Sequence, residues 1–171
     1  MRFRPSGLLQ SLALAAVSAG CRSVPADPPV APPMVTDSAQ YAVDSTHNLY
    51  RVTVPFRVVN TTRGMLSREH CNAPPQPKLE KKVRDSWVTA YVPIRLTCLS
   101  LPHFQIPSGA VFRGSLVVAA GKPGSRFFPK FEVESIPGVY RLRWYLHVGP
   151  VPSPQSTTIE LFSNEFRLIL R

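Results

Sequence analysis

The sequence predicts an all-β domain, a single antiparallel sandwich of about seven strands carried behind a short export signal and a proline-rich tether. Two observations predict it. From Val43 onward, short runs rich in aromatic and β-branched residues alternate apolar and polar positions. Pro, Gly, Ser and Asn punctuate those runs at moderate spacing, with almost no helical periodicity between them.

The N-terminus comes first. Arg2 and Arg4 precede an apolar run from Leu8 to Val17, and Ser18-Ala19-Gly20 supplies small residues just before Cys21. A bilayer needs ~20 apolar residues, so this run is too short to cross one and reads as a secretory signal over residues 1–20. The run Ser18-Ala19-Gly20-Cys21 resembles a bacterial lipobox, with Ser18 where Leu or Val is usual. That resemblance implies a diacylated Cys21 as the mature N-terminus. Residues 21–42 follow, with prolines at 25, 28, 29, 32 and 33. Proline removes backbone donors and fixes φ, so this stretch is expected to be an extended tether.

The domain is expected over residues 43–171. Tyr50 to Asn60 alternates cleanly: Tyr50, Val52, Val54, Phe56 and Val58 share one face, and Arg51, Thr53 and Arg57 the other. Pro55 on the polar face argues for an edge position or a bulge. Pro77 to Ser86 is the one stretch that looks helical, at most as a single turn. Trp87 to Val92 and Ile94 to Leu99 read as short strands. Val111 to Ala119 opens after the Pro107-Ser108-Gly109 turn. Glu132 and Glu134 stand two apart on an expected strand. Val139 to Val148 is the strongest strand, with Tyr140, Leu142, Trp144, Leu146 and Val148 facing the core. Arg141 and Arg143 face the other way and are expected to tolerate substitution. Glu165 to Arg171 alternates through Phe166, Leu168 and Leu170. The structural core is expected to gather Trp87, Tyr140 and Trp144.

Composition agrees with one globular domain. The chain has 171 residues, 44% hydrophobic and 18% charged, with a formal net charge of +10. Loss of Arg2 and Arg4 with the signal leaves about +8, scattered rather than clustered. In an oxidising envelope compartment Cys71 and Cys98 are expected to pair as the structural disulfide. A metal site using His70 or His103 is the alternative, but it lacks the tight Cys-x-x-Cys nucleus such sites use.

Catalytic chemistry has little to stand on. There is no Gly-x-Ser-x-Gly nucleophile turn, and His47, His70, His103 and His147 form no helical ligand pair. Glu132 and Glu134 read as ordinary alternation, and Gly121-Lys122-Pro123-Gly124 as a hairpin loop. Asn60-Thr61-Thr62 matches a glycosylation acceptor, which the bacterial-type signal opposes. Arg126-Phe127-Phe128-Pro129-Lys130-Phe131 interleaves cations with aromatics, and its rings read as core anchors. The expectation is therefore no enzyme activity, no catalytic residue, no metal, no cofactor and no nucleic acid.

Pro137-Gly138-Val139-Tyr140 resembles the tyrosine corner of immunoglobulin-like domains, where a Gly-x-Tyr opens a strand and the hydroxyl bonds back to nearby backbone. Trp87 would then match the core Trp of those domains. Leu142 stands where antibody domains carry a core Cys, so the pairing of Cys71 with Cys98 is not the antibody-type bridge. Over residues 43–171 the chain resembles bacterial envelope lipoproteins of unknown function with one immunoglobulin-like sandwich. It is more weakly similar to the intracellular proteinase inhibitor domain. The first resemblance implies a non-enzymatic envelope lipoprotein with a binding or structural role. Such a protein is held to the outer membrane or periplasmic face by lipid on Cys21 and meets an envelope protein or glycan. The second implies a secreted or soluble periplasmic inhibitor-like module acting through an exposed loop such as 121–129.

Overall fold

The computed structural model describes residues 33–69, 75–94, 103–149 and 156–171. Cys21, Cys71 and Cys98, expected to carry the lipid and the disulfide, lie outside them, as do His70 and the side chain of His103. The described residues form eleven strands and no helix. In chain order these are β1 (Met34–Thr36), β2 (Gln40–Thr46), β3 (Leu49–Val59), β4 (Leu66–Glu69), β5 (Lys78–Val83), β6 (Ser86–Tyr91), β7 (His103–Ile106), β8 (Val111–Gly121), β9 (Gly138–Val148), β10 (Thr157–Phe162) and β11 (Phe166–Leu170).

Two long strands organise the fold. In sheet A, β3 is flanked on one edge by β8, antiparallel from Leu49↔Gly121 to Val59↔Val111. Its other edge is shared by β1 and the end of β2. In sheet B, β9 is flanked by β11 and β10 on one edge and by β5 and β4 on the other. Strands β6 and β7 extend the sheet beyond β5 and β4. Strand β2 serves both sheets: residues 40–43 run parallel to β11, and 44–46 pair antiparallel with β3. The result is one curled, largely antiparallel sheet folded over itself, an all-β architecture with more strands than the expected seven.

The core is what the alternation requires. Val52, Val54, Phe56 and Val58 of β3 face Tyr140, Leu142, Trp144 and Leu146 of β9 across the interior, all buried. Trp144 sits at the centre, its ring centroid 5.5 Å from Phe56, 5.6 Å from Phe104 and 5.8 Å from Phe112. Such edge and tilted contacts suit aromatic quadrupoles. Among the described residues every member of this core lies between Met34 and Leu168, and Ala31–Arg171 forms one compact unit.

Local chemistry explains the connections. His47 and Asn48 take φ of 51° and 65° between Thr46 and Leu49, the two-residue turn whose twist matches a hairpin. Pro55 lies inside a strand paired on both edges, yet no ladder bond is lost. Its carbonyl accepts from Asp37 N–H at 3.3 Å, and its absent N–H points to the same gap, where β1 has ended and β2 has not begun. The Asn60-Thr61-Thr62 triplet is also structural. Asn60 is buried, its Nδ2 donating to Gly64 and Ile106 carbonyls and its Oδ1 accepting from Thr62, which leaves no amide to modify.

Four expectations are corrected. The sheet starts at Met34, fully buried, rather than at Val43, so residues 34–42, expected as tether, belong to the β-domain. The helical-looking Lys78 to Ser86 is a hairpin of β5 and β6 turning at Arg84-Asp85. Its long charged side chains favour helix intrinsically, but period-two packing against β9 decides. Glu132 and Glu134 lie outside any named strand. Leu170, assigned to the apolar face of the last strand, is 45% exposed.

Candidate binding surface

Sheet B presents an outward ladder of stacked cations and rings. Odd-numbered residues of β9 point away from the core, which places Arg141, Arg143 and Tyr145 in a row. The Arg141 guanidinium lies 4.4 Å from the Trp87 ring centroid and 4.1 Å from that of Phe162. Arg143 lies 4.8 Å from Tyr145, and Lys82 5.6 Å from Trp87. Glu80 is buried beneath this row, accepting from Arg141 at 2.8 Å and from Arg143 at 2.9 Å. Arg143 also reaches Glu160 at 2.9 Å. Hydrogen bonds to Glu160, then to Glu80, hold the Arg143 guanidinium above the usual range, and the Arg143 contact lowers the Glu160 carboxyl. Every planar cation here is already sandwiched and paired, so the row stiffens the sheet rather than waiting for a ligand.

Two sequence expectations change accordingly. Trp87 is half-buried on this outer face, apart from the core that holds Tyr140 and Trp144, because its place on β6 lies beyond β5. Arg141 and Arg143 are not idle surface cations: they clamp a buried carboxylate. The tyrosine corner is present as geometry, with the Tyr140 hydroxyl donating to the Ile136 carbonyl. Gly138 before it takes φ 152°, a conformation that side chains resist.

A shallow open cleft runs along Lys81, Val83, Arg84, Val88, Glu132, Val133, Glu134 and Ser135. Lys81 is its buried cation, donating to the Ser135 carbonyl at 2.6 Å and its hydroxyl at 3.1 Å, and burial lowers its ammonium. With its cation satisfied by Ser135, the cleft offers no activated base or nucleophile. His147 shares a 3.1 Å contact with Thr158 on the outer face of sheet B, and His47 sits in the β2–β3 turn, so these histidines are not brought together. Among the described residues, no group of three or more His, Cys, Asp or Glu could hold a metal ion.

The loop from Gly121 to Phe131 stands out. Its ends are tied: Gly121 N–H donates to the Pro129 carbonyl at 2.9 Å, Phe131 N–H to the Gly121 carbonyl at 3.1 Å, and Lys122 N–H to Asn48 at 3.2 Å. Phe131 anchors it in the core at 1% exposure. Phe127 and Phe128, expected as core anchors, are instead 68% and 77% exposed, with Lys122 and Arg126 exposed beside them. These two rings are the most exposed large hydrophobic side chains among the described residues, and burying them would be strongly favourable. The Arg-Phe-Phe run carried the signal, but periodicity could not say which ring points inward.

No family model matches the chain, and no curated protein matches it. Among solved structures, the ASH/PapD-like domain of human CEP192 (PapD-like domain 7) is similar at a TM-score of 0.32 and 14% identity, covering 92% of this chain and 99% of that one.

Proposed function

We propose that this chain is a non-enzymatic envelope lipoprotein. Lipid on Cys21 holds it at a membrane, and its folded domain makes its contact through the loop from Gly121 to Phe131. The observation that carries the binding role is the exposure of Phe127 and Phe128 on a loop fixed at both ends by backbone hydrogen bonds. The anchor is supported by the residue order before Cys21 and by the proline-rich spacer that follows it. Crosslinking in whole bacterial cells tests the contact. A photoreactive residue at Phe128 should capture an envelope component that the same group at exposed Asp85 does not. Equal or absent capture from both positions would sink the loop reading.

The same two rings favour a second reading, a secreted inhibitor-like module that inserts this loop into a protease cleft. A one-to-one complex with a protease, lost in Phe127→Ser/Phe128→Ser, would promote it over the first.

A further inference from the structure

Resting on the membrane-anchored reading, the geometry points to the partner of this loop: we propose that the outer face of sheet A, from Phe127 to the Arg57–Arg113 pair, lies against an anionic lipid bilayer. In β8 the even residues Leu116, Val118 and Ala120 face the core, and the odd residues Val111, Arg113, Ser115, Val117 and Ala119 face outward. Gly121, next in that alternation, also points outward, and a Cβ there would meet Phe127 Cβ at 2.8 Å and Ser125 Oγ at 2.6 Å. The loop therefore folds over the outer face of sheet A, and only glycine leaves room for it. Phe127 is brought to the same side as Val117 and Val111, which are 50% and 53% exposed.

The charge on this face is unbalanced. Arg57 and Arg113 are directly opposite one another across β3 and β8, and neither forms an ion pair among the described residues. Like charges in that position destabilise a sheet unless an anion relieves them. Arg51 lies further along β3, opposite Asp44, which is 4.0 Å from Arg171. Lys122 and Arg126 flank the exposed rings. A face with cations between apolar side chains and an exposed aromatic end fits phosphate headgroups over acyl chains. Strand β1 forms an edge of this sheet, and just before it the Pro33 carbonyl accepts from Val59 N–H at 2.8 Å.

Sedimentation of residues 33–171 with vesicles tests the proposal, using phosphatidylcholine alone or mixed equally with phosphatidylglycerol. Binding should require phosphatidylglycerol, weaken with salt, and fall by about ten-fold in Arg57→Ala/Arg113→Ala. Arg113→Glu separates this from misfolding: it turns a repulsive pair into an attractive one, so its melting temperature should hold or rise while vesicle binding falls. Phe127→Ser should weaken binding to the same vesicles. Equal binding to both vesicle types, no change in the arginine variants, or binding to soluble polyglutamate without binding to vesicles would overturn the proposal. The fragment lacks Cys21, so its result is independent of acylation. An acylated full chain whose fragment ignores vesicles keeps the anchor and overturns this face, while an unacylated chain whose fragment binds upholds the face and overturns the anchor.

Discussion

At the scale of single residues, the interior is held by Trp144 and closed by Tyr140. Trp144 is fully buried among Phe56, Phe104 and Phe112, and its Nε1 has no hydrogen-bond partner among the described residues. Trp144→Ala should cost ~3–5 kcal/mol by denaturant unfolding, from lost contacts and the cavity left behind. Trp144→Phe should cost clearly less, because it also removes an unsatisfied donor worth about 1–3 kcal/mol. Burial raises the Tyr140 hydroxyl well above its usual value of 10.0, and raises Tyr91 in the same direction. A raised folded pKa gives stability that is complete below the unfolded value and lost as pH climbs above it. Lys81, lowered by burial, works in the opposite sense as pH approaches 10.5. Thermal melts should therefore show an alkaline loss above about pH 10 that Tyr140→Phe reduces, since that variant removes the larger titration and leaves Lys81 in place. The burial of Trp144 and Tyr140 was legible from alternation alone. The exposure of Phe127 and Phe128 was not, because three rings in five residues contain no period that selects one of them.

At the scale of elements, charge ties β5, β9 and β10 together where hydrogen-bonded ladders alone would leave a bare surface. Glu80 bridges Arg141 and Arg143, and Arg143 continues to Glu160. Glu80→Ala should cost about 2 kcal/mol, below the ~3–5 of a wholly buried pair because both guanidiniums reach solvent. Arg143→Ala should cost less, since Arg141 still covers the carboxylate. A double-mutant cycle on Glu80 and Arg143 should show coupling, and strict additivity would mean the ladder is decorative. This clamp was hidden from sequence reasoning by the misreading of Lys78 to Ser86. The ten residues from Pro77 to Ser86 hold fewer than three helical turns, too few to separate a period of 3.6 from one of 2 when charged residues fill most positions. The long strands β3 and β9 were readable because sustained alternation leaves one solution, and β8 because the Pro107-Ser108-Gly109 turn announces it. The short strands β1, β4 and β10 carry too few residues to announce themselves, and only pairing with β3 and β9 makes them strands.

At the scale of the whole molecule, the proposed N-terminal anchor precedes a curled β-domain whose basic, partly apolar sheet A face and pinned loop are the proposed contact. The fold class was legible because alternation with turn punctuation admits little else. The contact was only half legible: its cations and rings are visible in sequence, but their gathering on one face depends on Gly121 letting the loop fold back. The central claim, that the protein works at a membrane through Cys21, is tested most directly by the intact mass of the mature protein from bacterial membranes. The account predicts a chain beginning at Cys21 with added acyl mass, and release from the membrane fraction in Cys21→Ala. An unmodified chain beginning at Gly20 in the soluble fraction would contradict it.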